Sequence, residues 1–187
     1  MQKEVILFLD GAHPDHQTQA TYGWMKKGSK LAIKTTAKQL RLHYMGVINV
    51  ANDKITHITK SYEKINSNSI ADFLGEIQQK LQHQDKIHII LDNASYHKNK
   101  EVKAFLQQPN NKLQLHYLPP YSPNLNLIER LWKIMRQQVT YNQYYSTFDE
   151  FQHNIKTFFQ NLDQIQHILL QRITDKFQVI DPRFVRV

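Results

Sequence analysis

Two stretches of this chain lead to a carboxylate in a manner that invites chemistry. "IHIILDNASYHKNK" is an apolar run that stops abruptly at Asp92, and "LPPYSPNLNLIERLWKIMR" is a proline-rich turn that delivers Glu129 early in a helical pattern. A third acid, Asp10, ends a comparable apolar run in "EVILFLDGAH". Asp10 and Asp92 share the carboxyl end of a buried strand, and in α/β sheets ligands sit in the crevice beyond those ends. If the two strands are adjacent and parallel, the acids converge there, and prolines of fixed φ stiffen the approach of Glu129. Three carboxylates with no Lys or Arg woven between them repel one another and are costly to desolvate. A cation must offset that cost. An all-oxygen donor set in a chain with no cysteine suits Mg²⁺ or Mn²⁺. Two such ions about 4 Å apart activate a water or a 3′-hydroxyl and stabilise the leaving oxygen of a phosphodiester displacement. Taken singly, each acid has an ordinary explanation. Asp10 or Asp92 alone reads as a turn former or helix cap, and Glu129 alone as a solvated partner of Lys133 at i,i+4.

The elements that must position these acids follow from periodicity. Residues 4–10 form an apolar strand, and 41–51 and 54–62 pair as an antiparallel hairpin across the "ND" at 52–53. The spacing over 69–82 predicts a helix that buries Ile70, Phe73, Leu74, Ile77 and Leu81, with Ser69 and Asp72 as a capping box. A strand at 86–92, a short helix at 99–108 and a strand at 113–119 come next. A helix over 124–139 then carries Leu127, Ile128, Leu131, Trp132 and Met135, with Asn124 or Asn126 as its cap. Another helix, 147–162, opens on Thr147 and Glu150 as a second capping box and buries a phenylalanine stripe, and a short helix covers 163–172. Three antiparallel-type strands followed by βαβ alternation predict an α/β fold, a mixed five-stranded sheet with helices on both faces.

Bulk properties narrow the function classes. At 187 residues the chain supports one domain, 1–187, with a core at about 4–140 and C-terminal helices at 147–172. The absence of cysteine excludes a disulfide framework, a thiolate metal site and a cysteine nucleophile, and fits a reducing, cytoplasmic setting. No apolar run approaches the ~20 residues needed to span a bilayer, so no membrane partner is expected. The net charge is +8, and between Asp15 and Asp53 the chain has no acid while Lys26, Lys27, Lys30, Lys34, Lys38 and Arg41 fall there. Such a stripe, alongside Tyr22 and Trp24, is suited to a phosphate backbone, although a solvated loop explains it equally well.

The wording of the motifs adds to this. "ILDNASYHK" followed by "LPPYSPNLNLIERLWKIMR" resembles the catalytic core of the mariner superfamily of transposases, in its bacterial insertion-sequence branch. "FLDGAHPDHQ" is similar to that family's first motif and "GWMKKGSK" to the segment after it. The resemblance spans roughly residues 4–140. It implies a ribonuclease H-like fold with an Asp–Asp–Glu triad at Asp10, Asp92 and Glu129, binding two Mg²⁺ or Mn²⁺ ions. Thirty-six residues lie between Asp92 and Glu129, within the family's usual spacing. Asn93 and His97 match frequent neighbours of the second acid, and Asn126 matches the Asn just before the Glu. Each also has a plain structural explanation, backbone satisfaction for the asparagines and orientation of a neighbour for His97.

The implied activity is DNA cleavage at the ends of an insertion sequence and strand transfer into a target. Implied partners are double-stranded DNA with TA-dinucleotide targets, further copies of the chain on paired ends, and a separate helix-turn-helix polypeptide. Lys26, Lys27, Lys30, Lys98, Lys133 and Arg136 are candidate phosphate contacts. The setting is a bacterial cytoplasm, associated with the nucleoid when bound to DNA. Two departures stand out. Asn124 and Leu127 replace the acid and the proline that the family more often has, and nothing resembling a recognition helix precedes the first strand. A split-frame product, an isolated catalytic domain and a truncated remnant all fit the latter. The rival functions are a structure-selective or RNA–DNA hybrid nuclease on the same scaffold and an inactive DNA-binding remnant.

Overall fold

The computed structural model describes residues 3–22, 26–28, 32–36, 39–51, 53–120 and 122–174. Five strands, β1 (Glu4–Ala12), β2 (His43–Ala51), β3 (Lys54–Tyr62), β4 (Lys86–Leu91) and β5 (Leu113–Tyr117), form one sheet in the order β3-β2-β1-β4-β5. β1–β2 and β2–β3 are antiparallel, and β1–β4 and β4–β5 are parallel. β1 and β4 are therefore neighbours pointing the same way, the arrangement that brings Asp10 and Asp92 to one end of the sheet. The β2–β3 hairpin closes between Ala51 and Lys54, with Asp53 at φ 54°, the left-handed geometry a two-residue turn demands. Asn52 lies outside the described residues.

Period-two alternation separates two cores. Leu7, Leu9, Met45, Val47, Ile87, Ile89 and Leu91 face α1 (Ser67–Lys80) and Val102 of α2 (Lys100–Leu106). Phe8, Ala12, Tyr44 and Ile48 face α3 (Ile128–Met135), α4 (Phe148–Gln160) and α5 (Gln166–Arg172). Helices thus cover both faces, as expected. Each buried Leu, Ile or Phe contributes about 1.5–3 kcal/mol, so either layer alone outweighs any single polar contact. Among the described residues no helix is long and apolar enough to cross a membrane.

Several local expectations are corrected. α1 starts earlier, because Asn66 caps it: its side chain accepts from the Ser69 N–H while Ser69 Oγ accepts from the Asn66 N–H. Asp72 is instead bound to Lys60 and Tyr62 on β3. α3 begins at Ile128 rather than 124, after a 3₁₀ turn at Pro123–Leu125, and ends in a π turn over Arg136–Thr140. No side chain caps α3, so neither Asn124 nor Asn126 does so. Thr147 caps α4, but the Glu150 carboxylate turns to the N–H and hydroxyl of Ser146 instead of completing the box. β1 continues two residues past Asp10, which therefore lies within the strand.

The connection from β1 to β2 is long and clipped at its base. His16 N–H donates to Leu40 O (2.8 Å), Leu42 N–H to Pro14 O (3.0 Å), and Arg41 pairs with Asp15 at 2.6 Å. Arg41 is accordingly neutralised rather than an unopposed cation. The His16 ring is buried against Phe148 and Phe151, which pins the connection to α4.

Candidate active site

The three acids arrive from three elements. Asp10 stands on the α3 side of β1, Asp92 directly follows β4, and Glu129 is in the first turn of α3, whose N-terminal partial positive charge favours it there. All three line one cleft of about 340 Å³ with Asn93, Ala94, Leu118, Pro119, Pro120, Ser122, Pro123 and Asn126. The prolines expected only to stiffen the approach also form part of its wall. Glu129 makes no ion pair with Lys133 among the described residues, so the plain explanation for it is set aside.

The electrostatics differ sharply among the acids. Asp10 is pushed up to about 7, chiefly by burial and then by the charge of Glu129, with Asp92 adding to it. Hydrogen bonds from the Gly11 N–H and the Trp132 indole pull the other way. Asp92 is held below the ordinary carboxylate range, first by its hydrogen bond with His97 and also by the Ala94 N–H. His97 Nε2 lies 3.1 Å from Asp92 Oδ1, and the Ala94 N–H donates to the same oxygen at 3.1 Å. His97 is buried behind Asp92 and is not part of the cleft wall, so it orients the acid instead of facing a ligand.

Asn126 is buried, and its Nδ2 donates to the Leu9 carbonyl at 2.8 Å. Its Oδ1 is buried without a partner beside the carboxylates. An orphan oxygen of this kind, an acid raised by burial and by the charge of Glu129, and three carboxylates on one cleft wall are what a hard divalent ion would relieve, so the residues fit one. Among the described residues no three acid or histidine side chains are already drawn together as a ligand set. Repelling carboxylates line the cleft without closing on one another.

The predicted cations divide. Lys133 (exposed) and Arg136 (half-buried) border an adjoining hollow that shares Pro123, Asn126 and Glu129 with the cleft. Lys98 is exposed and sits 4.9 Å from the centre of the Tyr117 ring, away from the cleft wall. Lys26 and Lys27 are exposed on the β1–β2 connection, and Lys30, with Lys38 and Trp24, lies outside the described residues. Sequence reasoning assigned Trp132 to the core alone and missed its indole N–H, which donates to Asp10 Oδ2 at 3.1 Å. The available signal was its place three residues after Glu129, on the buried side of the same helix.

An insertion element IS630 uncharacterized 39 kDa protein of Shigella sonnei is 24% identical over 149 residues, covering 78% of this chain and 39% of that protein. The chain thus spans well under half the length of that relative. The fold is similar to a Mos1 mariner paired end complex with Mn (TM-score 0.56, 17% identity, 89% of this chain and 53% of that one). It is also similar to the catalytic domain of Mos1 mariner transposase (TM-score 0.51, 16% identity, 89% of this chain and 78% of that one). These likenesses establish the ribonuclease H-like fold. The model of the DDE superfamily endonuclease family matches residues 5–152, and with most of its length so matched the chain belongs to that family.

Proposed function

We propose that this chain is the catalytic domain of an insertion-sequence transposase, which cleaves DNA at the element's ends and joins the freed 3′-hydroxyls to a target. The observation that carries the reading is that Asp10, Asp92, Glu129 and the orphan Asn126 Oδ1 all border one cleft at the carboxyl end of the parallel strands. Asp10, Asp92 and Glu129 would hold two Mg²⁺ or Mn²⁺ ions, and the Mn-bearing complex of similar fold supports that choice. Such ions supply Lewis-acid activation of the attacking oxygen and screening of the charge that builds on the scissile phosphate. The chain's residues do the rest. His97 and the Ala94 N–H keep Asp92 ionised and aimed, and Asn126 ties the foot of α3 to β1 so that Glu129 approaches Asp10. Asn93, on the cleft wall, is placed to contact the bound strand. Lys133 and Arg136, together with Lys26, Lys27, Lys30 and Lys98, take the phosphates of duplex DNA.

Insertion at TA dinucleotides and assembly of two or more copies on paired ends complete the reading. The deciding experiment incubates the chain, and its Asp92→Ala variant, with end-containing duplex and Mg²⁺. Cleavage and strand-joined products from the parent but not the variant support the proposal. Cleavage of RNA–DNA hybrid without any joining product, or activity undiminished in the variant, refutes it.

A further inference from the structure

Asp10 and Gly46 are direct partners across the antiparallel β1–β2 pair. A side chain at Gly46 has nowhere to go: its Cβ would stand 2.6 Å from Cη2 and 3.1 Å from Cζ2 of Trp132, and 3.1 Å from Cδ1 of Ile128. The indole therefore lies directly over the strand beside Asp10, and the edge-on Phe159 ring (5.9 Å, 88°) bounds it on another side. Trp132 is 1% exposed, so its ring is enclosed in the core. From that seat its Nε1 reaches Asp10 Oδ2 at 3.1 Å.

We infer that Trp132 is a positioning residue for Asp10, and that Gly46 is the residue whose missing side chain makes the position possible. This rests on the reading of Asp10 as a holder of divalent metal. An indole nitrogen donates and never accepts, so the oxygen it engages must serve as an acceptor. One lone pair of Oδ2 is thereby engaged by the protein, Oδ1 is left as the freer oxygen for a cation, and carboxylate rotation is restrained by a ring enclosed in the core. Partners of this kind, bound to a ligand and not to the metal, typically govern metal affinity by 10–100-fold. A core tryptophan with no part in the site would need the room that Gly46 leaves, but not an N–H aimed at Asp10.

The chain has two tryptophans, so replacing Trp24 by Phe leaves one indole N–H signal to follow by ¹⁵N-resolved NMR. In the metal-free protein, Asp10→Asn should displace that signal, because the charged acceptor is gone. In the parent, the signal should move on titration with Mg²⁺ and saturate together with metal binding, and in Asp10→Asn it should no longer do so. Calorimetry with Mn²⁺ should give an affinity about tenfold weaker for both Trp132→Phe and Gly46→Ala. The second variant keeps both hydrogen-bonding groups and only crowds the ring, and unfolding curves identify whichever variant remains folded for the comparison. An indole signal indifferent to Asp10→Asn, or unchanged Mn²⁺ affinity in a folded variant, overturns the inference while leaving the functional proposal standing. Absence of Mn²⁺ binding in the parent would instead bring down the functional reading and this inference with it.

Discussion

The buried side chain of Asn126 donates to the main-chain carbonyl of Leu9, tying the start of α3 to the strand that bears Asp10. The bond joins the foot of the helix carrying Glu129 to the residue just before another acid of the cleft, so it sets their approach more directly than the preceding prolines do. Replacing Asn126 by Ala strands the Leu9 carbonyl in a buried setting, at a cost of about 1–3 kcal/mol. For a chain of this size that is a fall in Tm of roughly 2–4 °C per kcal/mol. Calorimetric melting should show this, together with a loss of cleavage larger than the stability change explains.

The state of Asp10 makes metal-free stability depend on pH with a definite sign. Its folded value of about 7 stands above the ordinary 3.8, mainly because of burial and the charge of Glu129. Below 3.8 both folded and unfolded chains are protonated there and Asp10 contributes nothing. Between about 3.8 and about 7 the unfolded chain ionises while the folded one resists, so stability is lost as pH rises, and the full cost stands above 7. Asp10→Asn removes that titration. In chelator, the variant should exceed the parent by up to about 4 kcal/mol at pH 8 and match it near pH 4. Equal stability of the two proteins at pH 8 would contradict the assignment.

If Asp10 holds the cation as proposed, proton and cation compete for its carboxylate. Apparent Mn²⁺ affinity should therefore weaken by roughly tenfold per pH unit as pH falls below about 7, and level off above it. Isothermal titrations between pH 5.5 and 8.5 provide the check.

His97 holds Asp92 low from behind, so removing it acts on the acid and not on a ligand. His97→Ala should let the Asp92 carboxyl drift up toward its ordinary range and reduce Mg²⁺-dependent cleavage by about 10–100-fold. The deficit should be greater at pH 5.5 than at pH 8, and His97→Gln, which keeps a donor, should recover part of it.

Lys133 and Arg136 extend from the Glu129 helix along the hollow beside the cleft. If each meets a phosphate, replacing both by Ala should weaken duplex binding irrespective of sequence. The slope of log K against log salt should become shallower by about 2. An unchanged slope would place the DNA path elsewhere.

Much of this molecule was legible in the chain itself. Short apolar runs marked β1 and β4 as strands buried between layers, and the order of strand-type and helix-type segments led to the mixed sheet. The acids could be singled out because each ends or follows a segment whose period is readable locally, and the three carboxylates themselves made oxygen the expected donor type. The errors arose where local patterns are degenerate. Ser69 with Asp72 and Asn66 with Ser69 are both plausible helix starts in sequence, and the choice fell to Asn66 because Asp72 is drawn to Lys60 and Tyr62 on β3.

What only the tertiary structure decided is how the acids are held. Trp132 reaches Asp10, Asn126 reaches Leu9 and Arg41 reaches Asp15 across intervals that no periodicity encodes. The amino-acid order sets which face of a strand or helix a residue occupies. A carboxylate's ionisation and aim depend on the dielectric and the donors around it, and those come from elements that meet only when the sheet and helices pack.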